Sequence, residues 1–394
     1  MNSSKLISFI NRIYIFLIIN YGLISQFVIH TDSSGYLLIF MSILVLLLNS
    51  KAIANLQLSK PIAFWTIWCI FAFCNYHFRP FHVSPMSFVQ SIRFVFYPLL
   101  TMTIVAKEFA DNQSGTIKWC FVSFLCYTIF GYLFDPGILF RELGEDNTLG
   151  NTYAITTSLC LFFLILVKKK TKMSLPLFLI MAILLIFVLA FSGTRKAFGA
   201  GIIMLVFWAL SLFDVKKFRT WLFIGVFAVA GFGGYNQLME NTFMGQRMEY
   251  LEKQQEENLP SDAPKILGLL GDRAPHYYYG WKLFTEHPLF GVGPYQSRIN
   301  HTYYIHSEYV AQLADNGIVG FSLYFLLYAG ICIGLFKKRK FDKEFTTCLL
   351  GGFVAILFLS LTMWTWTYSA LFCCLGIMVG HNRIENTFNY NELS

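Results

Sequence analysis

The sequence predicts an all-helical membrane protein that crosses the bilayer about twelve times. Of its 394 residues, 56% are apolar and only 13% are charged, whereas about 25% of the residues in ordinary soluble domains are charged. The apolar residues form long blocks, such as 7–29 and 317–336, close to the ~20 residues that a helix needs to cross hydrocarbon. The first block follows a short basic stretch without a small-residue cleavage site, so we interpret it as a retained span.

The predicted spans are twelve apolar runs separated by charged residues, glycines and prolines. Their centres lie near residues 18, 43, 68, 97, 125, 160, 183, 205, 227, 327, 354 and 373. Only residues 363–366 separate the last two runs, so one long or kinked segment over 345–380 is an alternative. We therefore predict nine spans in 1–236, a helical loop domain at 237–316, and three spans with a short tail in 317–394.

The basic residues predict the orientation, because short cytoplasmic loops accumulate Lys and Arg. With the N terminus inside, 19 of the 30 Lys and Arg residues fall on the cytoplasmic side and 4 in the short outer loops. Both termini are therefore predicted to be cytoplasmic, and the loop at 237–316 extracytoplasmic. Since this positive charge lies in clusters between spans, such as 168–172 and 337–340, it does not indicate nucleic-acid binding.

The loop at 237–316 is large enough to fold, and we expect the chemistry of the protein to lie there. Its pattern predicts a polar helix over 240–257 and a second helix over 275–287 with proline in the first turn. A third helix is predicted from about His306 to Asn316, with Gly317 as an αL cap.

His306 is the candidate general base. At the start of the third predicted helix it shares an apolar face with Tyr309, Val310 and Leu313, so it is expected to point towards the spans. An imidazole titrates near neutral pH and can take a proton from a hydroxyl. The alternative is a histidine that only fills space in the protein interior.

Four cations are candidate anion-binding residues. Arg273 precedes the second predicted helix, whose N-terminal amides favour an anion, although an ion pair with Asp272 is an alternative. Arg195 and Lys196 occupy a short outer turn against the positive-inside trend. Arg93 lies inside the fourth span, where a charge is costly. For the last three, the alternative is a side chain that reaches the membrane surface without binding a ligand.

The nine cysteines predict neither a disulfide framework nor a metal site. Nearly all of them lie inside apolar blocks, and they show no C-x-x-C or Cys/His ligand spacing. We therefore expect a protein without a metal or cofactor.

Several of these residues together resemble the signature of the O-antigen ligase and polymerase family. The resemblance is carried by Arg273, Trp281, the run EHPLFGVGP at 286–294, His306 and the run DNGIVG at 315–320. More loosely, residues 192–198 resemble the family's Ser/Thr-Arg element, and 149–151 its Pro-Asn element without the proline. The specific part covers about 50 residues, and the rest of the chain is similar only in hydropathy and number of spans.

The resemblance implies a GT-C-like membrane glycosyltransferase without a metal, which moves a glycan from undecaprenyl pyrophosphate to an acceptor hydroxyl. His306 would then be the base on that hydroxyl. Arg273 and Arg195 would hold the pyrophosphate leaving group. The expected location is the bacterial cytoplasmic (inner) membrane, and the expected partners are the lipid-linked oligosaccharide, the bilayer and a chain-length regulator.

Within this family we expect a polymerase that makes O-antigen, capsule or exopolysaccharide. Both substrates of a polymerase carry lipid pyrophosphates, so a second anion site is needed, for which Lys196, Arg93 and Lys282 are candidates. The alternatives are an O-antigen ligase that transfers glycan to a lipid A core, a transporter or flippase, and a membrane scaffold or sensor. Transporters typically consist of two similar halves, whereas this chain has a single long loop placed late in the sequence. This asymmetry argues against a transporter.

Overall fold

The computed structural model describes residues 3–28, 32–56, 59–77, 88–135, 148–192, 194–212, 274–297, 305–366 and 368–391. These residues form helices joined by turns, without a strand among them. The helices are α1 (Ser3–Leu23), extended by a π-helical turn (Ile24–Val28), α2 (Asp32–Leu48), α3 (Ser50–Leu56), α4 (Lys60–His77), α5 (Phe88–Asp111), α6 (Gln113–Phe134), α7 (Thr148–Lys170), α8 (Leu175–Phe191), α9 (Arg195–Leu212), α10 (Ala274–Glu286), α11 (Glu308–Lys338), α12 (Lys343–Ser360) and α13 (Leu371–Asn391).

The helices confirm the predicted fold class, a polytopic all-helical membrane protein. Eleven of the twelve predicted span centres lie within helices, and the ninth, near 227, lies outside the described residues. Six of the described helices are long and apolar enough to cross a membrane, and two shorter ones are similarly apolar. The alternative of one segment over 345–380 is wrong, because the chain folds back between α12 and α13. Thr346 at the start of α12 lies 3.0 Å from the ring nitrogen of His381 in α13.

The outer surface of the helices is apolar. Leu47, Leu133 and Ile183 are each about two-thirds exposed, at 68%, 67% and 66%, which is favourable against lipid and costly against water. The centre of the bundle is α7, which packs against α6, α8, α9 and α12. Its residues Leu159 and Phe162 are fully buried.

Two lysine-rich segments, 168–172 and 337–343, meet at one face of the bundle, which we call the lysine face. Lys169 at the end of α7 forms an ion pair with Glu344 at the start of α12, at 2.8 Å. Lys170 similarly pairs with Asp342 at 3.2 Å. The lysine face therefore collects the segments that the charge pattern assigns to the cytoplasm.

The ends of three further helices lie at the lysine face. Phe109 near the end of α5 stacks on Phe345 at the start of α12, with ring centroids 6.3 Å apart. The neighbouring Glu108 accepts a 2.7 Å hydrogen bond from Asn11 of α1. Asn11 in turn exchanges amide hydrogen bonds of 3.1 and 2.7 Å with Asn49 after α2. The start of α1 and the ends of α2 and α5 thus share one side, as alternating spans require.

The other ends of the helices gather at a second face, which we call the site face. Tyr153 at the start of α7 contacts Gln26 beyond the end of α1, with the hydroxyl and amide oxygens 3.3 Å apart. Asn75 at the end of α4 donates a 3.0 Å hydrogen bond to the carbonyl of Phe290. The segments 274–297 and 305–316 therefore lie on the site face, opposite the lysine clusters.

The loop helices agree in part with their predicted bounds. The structure confirms the second one as α10 and places Pro275 in its first turn. The third begins at Glu308 and not at His306, because the preceding Ser307 is an extended N-cap with φ −93° and ψ 128°. Gly317 has the expected positive φ of 62° but an extended ψ of −169°, so it is a kink within α11 and not an αL cap. The predicted helix over 240–257 lies outside the described residues, and the division into domains stays a prediction.

Reporter fusions test the predicted orientation. A phosphatase fused at residue 260 should be active and one fused after Lys340 inactive, because phosphatase folds only outside the cytoplasm while the basic clusters stay inside. A fluorescent protein that matures only in the cytoplasm should give the reverse pattern at the same two positions. Phosphatase activity at Lys340 and none at residue 260 would contradict the assignment of the two faces.

Candidate glycosyl-transfer site

The two runs that carry most of the resemblance interlock on the site face. Four backbone hydrogen bonds of 2.7, 2.8, 2.9 and 3.2 Å join residues 288–293 to residues 314–319. The amides of Val292 and Gly293 donate in one direction, and those of Ile318 and Val319 donate in the other. The loop after α10 is thus hydrogen-bonded to α11 on both sides of the kink at Gly317.

Two glycines make this contact possible. Gly291 has φ 64°, and a Cβ atom there would lie 2.3 Å from the carbonyl carbon of Asp315. Gly317 has φ 62°, and its Cβ would lie 2.4 Å from the carbonyl carbon of Leu289. Only glycine permits both the positive φ and the direct approach of two backbones. The two glycines therefore allow the two runs to pack as one unit.

Asp315 fixes the turn that follows this contact. Its carboxylate is buried and accepts 3.1 Å hydrogen bonds from the backbone amides of Tyr295 and Ser297. A buried carboxylate is costly unless donors satisfy it, and these two amides do so. We conclude that Asp315 holds the loop against α11 and is structural.

Replacing Gly291 should unfold this unit. For Gly291→Ala we expect a loss of about 2–5 kcal/mol, the sum of the left-handed backbone of an L-residue and an overpacked contact. The measurement is thermal unfolding of the purified protein in detergent. Gly35→Ala is the matched control, because among the described residues a Cβ there meets only the Tyr21 hydroxyl, at 3.8 Å. Equal melting temperatures for the two variants would contradict the close approach.

His306 lies in the extended segment just before α11. The sequence-based placement on a helical face is wrong, because Ser307 and not His306 is the N-cap. The half-buried ring packs edge-on against His276 of α10, with ring centroids 5.3 Å apart and an interplanar angle of 88°. An imidazole in this position is held by neighbours and remains partly open to a substrate.

Both flanks of His306 are fastened to residues 361–370, which we call the 361–370 connection. The carbonyl of Ile305 accepts a hydrogen bond from the indole of Trp364. The carboxylate of Glu308 accepts hydrogen bonds from the backbone amides of Thr365, at 2.6 Å, and Trp366, at 3.2 Å. Sequence reasoning missed Glu308, although an acid at the start of an apolar helix and two residues after the candidate base was a usable signal.

Arg195 and Lys196 are the first two residues of α9 on the site face. Arg195 is exposed and Lys196 half-buried, beside helix N-terminal amides that favour an anion. The preceding Thr194 contacts the side-chain oxygen of Asn151 with its hydroxyl, at 3.3 Å. The structure therefore brings together the two elements at 149–151 and 192–198, which are far apart in sequence.

The 361–370 connection also contacts the start of α7, beside Asn151. The hydroxyl of Tyr368 donates a 3.0 Å hydrogen bond to the carbonyl of Thr152, the neighbour of Asn151. Burial raises the pKa of Tyr368 to about 12, so the hydroxyl is protonated at neutral pH and can donate. Because Thr365 and Tyr368 are three residues apart, their Cα atoms are separated by at most about 11 Å. The segment that fastens His306 is therefore also bonded to α7, at the residue next to the Asn151 that contacts Thr194.

Part of the chain is similar to a known protein family. Residues 180–325 match the family described as O-antigen ligase. This segment of the chain is similar to O-antigen ligases. This confirms the resemblance to the O-antigen ligase and polymerase family. No curated protein matches the chain.

The matched residues 180–325 include Arg195, Lys196, Arg273 and His306, whereas the 361–370 connection lies beyond them. Arg273 directly precedes α10 and lies outside the described residues. Arg93 precedes the domain and lies within α5, and only its backbone is described. The roles of all five residues as base or anion ligands stay predictions.

No metal cluster is visible in the described part of the chain. Three or more His, Cys, Asp or Glu residues do not come together there in an arrangement that could hold an ion.

Proposed function

We propose that this protein is a glycan polymerase. It transfers a growing glycan from undecaprenyl pyrophosphate to a hydroxyl of another lipid-linked repeat unit, at the outer face of the bacterial cytoplasmic membrane. The observation that carries the proposal is the arrangement of residues on the site face. There, the half-buried imidazole of His306 is fastened on both flanks to the 361–370 connection. The same connection hydrogen-bonds through Tyr368 to Thr152, the neighbour of the Asn151 that contacts Thr194 just before Arg195.

The chemistry assigns each group one task. His306 takes the proton of the acceptor hydroxyl while that oxygen forms a bond to the anomeric carbon of the donor sugar. The bond from that carbon to the pyrophosphate oxygen breaks, and undecaprenyl pyrophosphate leaves with the electron pair. Arg195 and Arg273 stabilise the charge that develops on the leaving group, since a guanidinium presents paired donors to phosphate oxygens. Fixed cations thereby supply the role that a metal has in other phosphate chemistry.

A second lipid pyrophosphate distinguishes a polymerase from a ligase. Lys196 is half-buried next to Arg195, and Lys282 is exposed on α10, so cations beyond the two arginines are available on the site face for the acceptor lipid. Arg93 is a further candidate. A chain-length regulator is the protein partner that such an activity would use.

O-antigen ligase activity is the second candidate, favoured by the description of the matching family. A ligase would transfer the same glycan to a lipid A core, with only one lipid pyrophosphate bound. His306 and Arg273 would keep their tasks in that reaction.

Reconstitution of the full chain separates these activities. Purified protein in liposomes receives an undecaprenyl-pyrophosphate repeat unit, with or without a lipid A core acceptor. A polymerase extends the repeat unit into a ladder of longer glycans without the core, whereas a ligase forms product only when the core is present. Movement of the lipid-linked unit across the bilayer without new glycosidic bonds would contradict both and indicate a flippase.

A further inference from the structure

We infer that the 361–370 connection is part of the active site and that Glu308 is the positioning residue that fastens it beside His306. The inference rests on the proposed function, since it assigns a role to residues around the proposed base. It concerns a segment outside the matched residues 180–325. Its evidence is the hydrogen bonding of one carboxylate and the packing of the segment that this carboxylate holds.

Glu308 accepts hydrogen bonds from backbone amides of the connection, and not from the free backbone amides at the start of its own helix. It is fully buried at the first turn of α11, where a carboxylate ordinarily serves the free amides of the same helix. Here one oxygen accepts the amides of Thr365 and Trp366 and lies 3.4 Å from the Thr365 hydroxyl. The other accepts a 2.8 Å hydrogen bond from Gln312. Because an unsatisfied buried carboxylate is costly, the connection and α11 stabilise each other.

Both loop helices contact this region through tyrosine hydroxyls. Tyr277 of α10 donates a 2.7 Å hydrogen bond to the carbonyl of Leu361 at the start of the connection. Tyr309 of α11 donates a 3.0 Å hydrogen bond to the carbonyl of Leu357, one turn earlier in α12. The two elements that carry the His276–His306 pair are thus both attached to the same end of α12.

The connection itself is held firmly by aromatic packing. Trp366 lies edge-on to Trp68 of α4, with centroids 5.4 Å apart, and 5.2 Å from the ring of Tyr295. Trp364 packs edge-on against the same tyrosine at 5.0 Å. All four rings are buried. These contacts describe a fixed support built on the spans.

A rigid support beside His306 matters because its extended segment has no helical hydrogen bonds of its own to fix it. Ile305 on one side and Glu308 on the other hold the backbone, and both use residues 364–366. A displacement of about 1 Å can lower a rate by about 100-fold. Glu308 acts through His306 and touches no substrate, which makes it a positioning residue.

The test compares substitutions of two buried glutamates in the reconstituted full chain. Glu308→Ala should lower kcat for glycan extension by about 100-fold, with KM for the lipid-linked repeat unit unchanged within about twofold. Glu308→Gln keeps an acceptor oxygen for the two amides, so it should restore most of kcat. Glu108→Gln is the matched control, because Glu108 is equally buried and hydrogen-bonded but lies on the lysine face. Its folded fraction should turn over at the wild-type rate.

A second variant decides the matter if Glu308→Ala does not fold. Trp364→Phe removes the indole donor to Ile305 and keeps an aromatic ring, and it should lower kcat by about tenfold, the worth of one hydrogen bond, without a change in KM. A wild-type kcat in Trp364→Phe or in folded Glu308→Ala would overturn the inference and leave the proposed function standing. Wild-type protein that forms no glycosidic bond at all would overturn both.

Discussion

His306→Ala should abolish the formation of long glycans while the short lipid-linked unit persists. Loss of a positioned base lowers a rate by about 10²- to 10⁴-fold, and His306 is the partly accessible imidazole that the structure fastens on both flanks. The measurement is glycan chain length by gel after reconstitution with a defined repeat unit. A chelator added to the wild-type reaction should change nothing if the fixed cations do the work of a metal.

The control for this substitution is His287→Ala. His287 lies in the loop after α10 on the same face, but its side chain is exposed, so chain length should remain normal. His306→Ala must also extract and elute like the wild type, since a folding defect would give the same loss of product. Normal chain length from His306→Ala would rule out its role as the base.

Arg273→Lys should be nearly as damaging as Arg273→Ala, with a loss of about 100-fold in the rate of transfer, comparable to removal of a preorganised donor. Lysine keeps the positive charge but cannot present paired, coplanar donors to two phosphate oxygens. The measurement is the initial rate of glycan extension at saturating lipid-linked substrate. Arg195→Lys should show a smaller effect in the same assay.

Arg339→Lys provides the matched control, because Arg339 is exposed at the lysine face, far along α11 from the site face. It should extend glycan at the wild-type rate. If Arg273→Lys does so too, at equal expression, the pyrophosphate is held by other residues.

The sequence alone predicted the all-helical membrane fold, because hydrophobic length is a local property. Apolar runs of about twenty residues must become helices in hydrocarbon, where no water satisfies the backbone. The span centres near 43 and 160 therefore fall inside α2 and α7. The second loop helix was predictable from another local signal, since Pro275 marks its first turn. Residue type and spacing also identified His306 and the arginines as the candidate residues.

Only the tertiary structure decided how these residues are supported. Hydropathy treats 361–370 as a break between spans, but Trp364, Thr365 and Trp366 hydrogen-bond to residues nearly sixty positions earlier. The spacing of Gly291 and Gly317 does not reveal that two backbones touch, because that contact depends on folding the loop onto α11. Composition and periodicity indicate whether each segment is favoured in water, in lipid or in the protein interior. They do not record which buried donor satisfies which buried acceptor across the bundle, and that pairing is what positions the site.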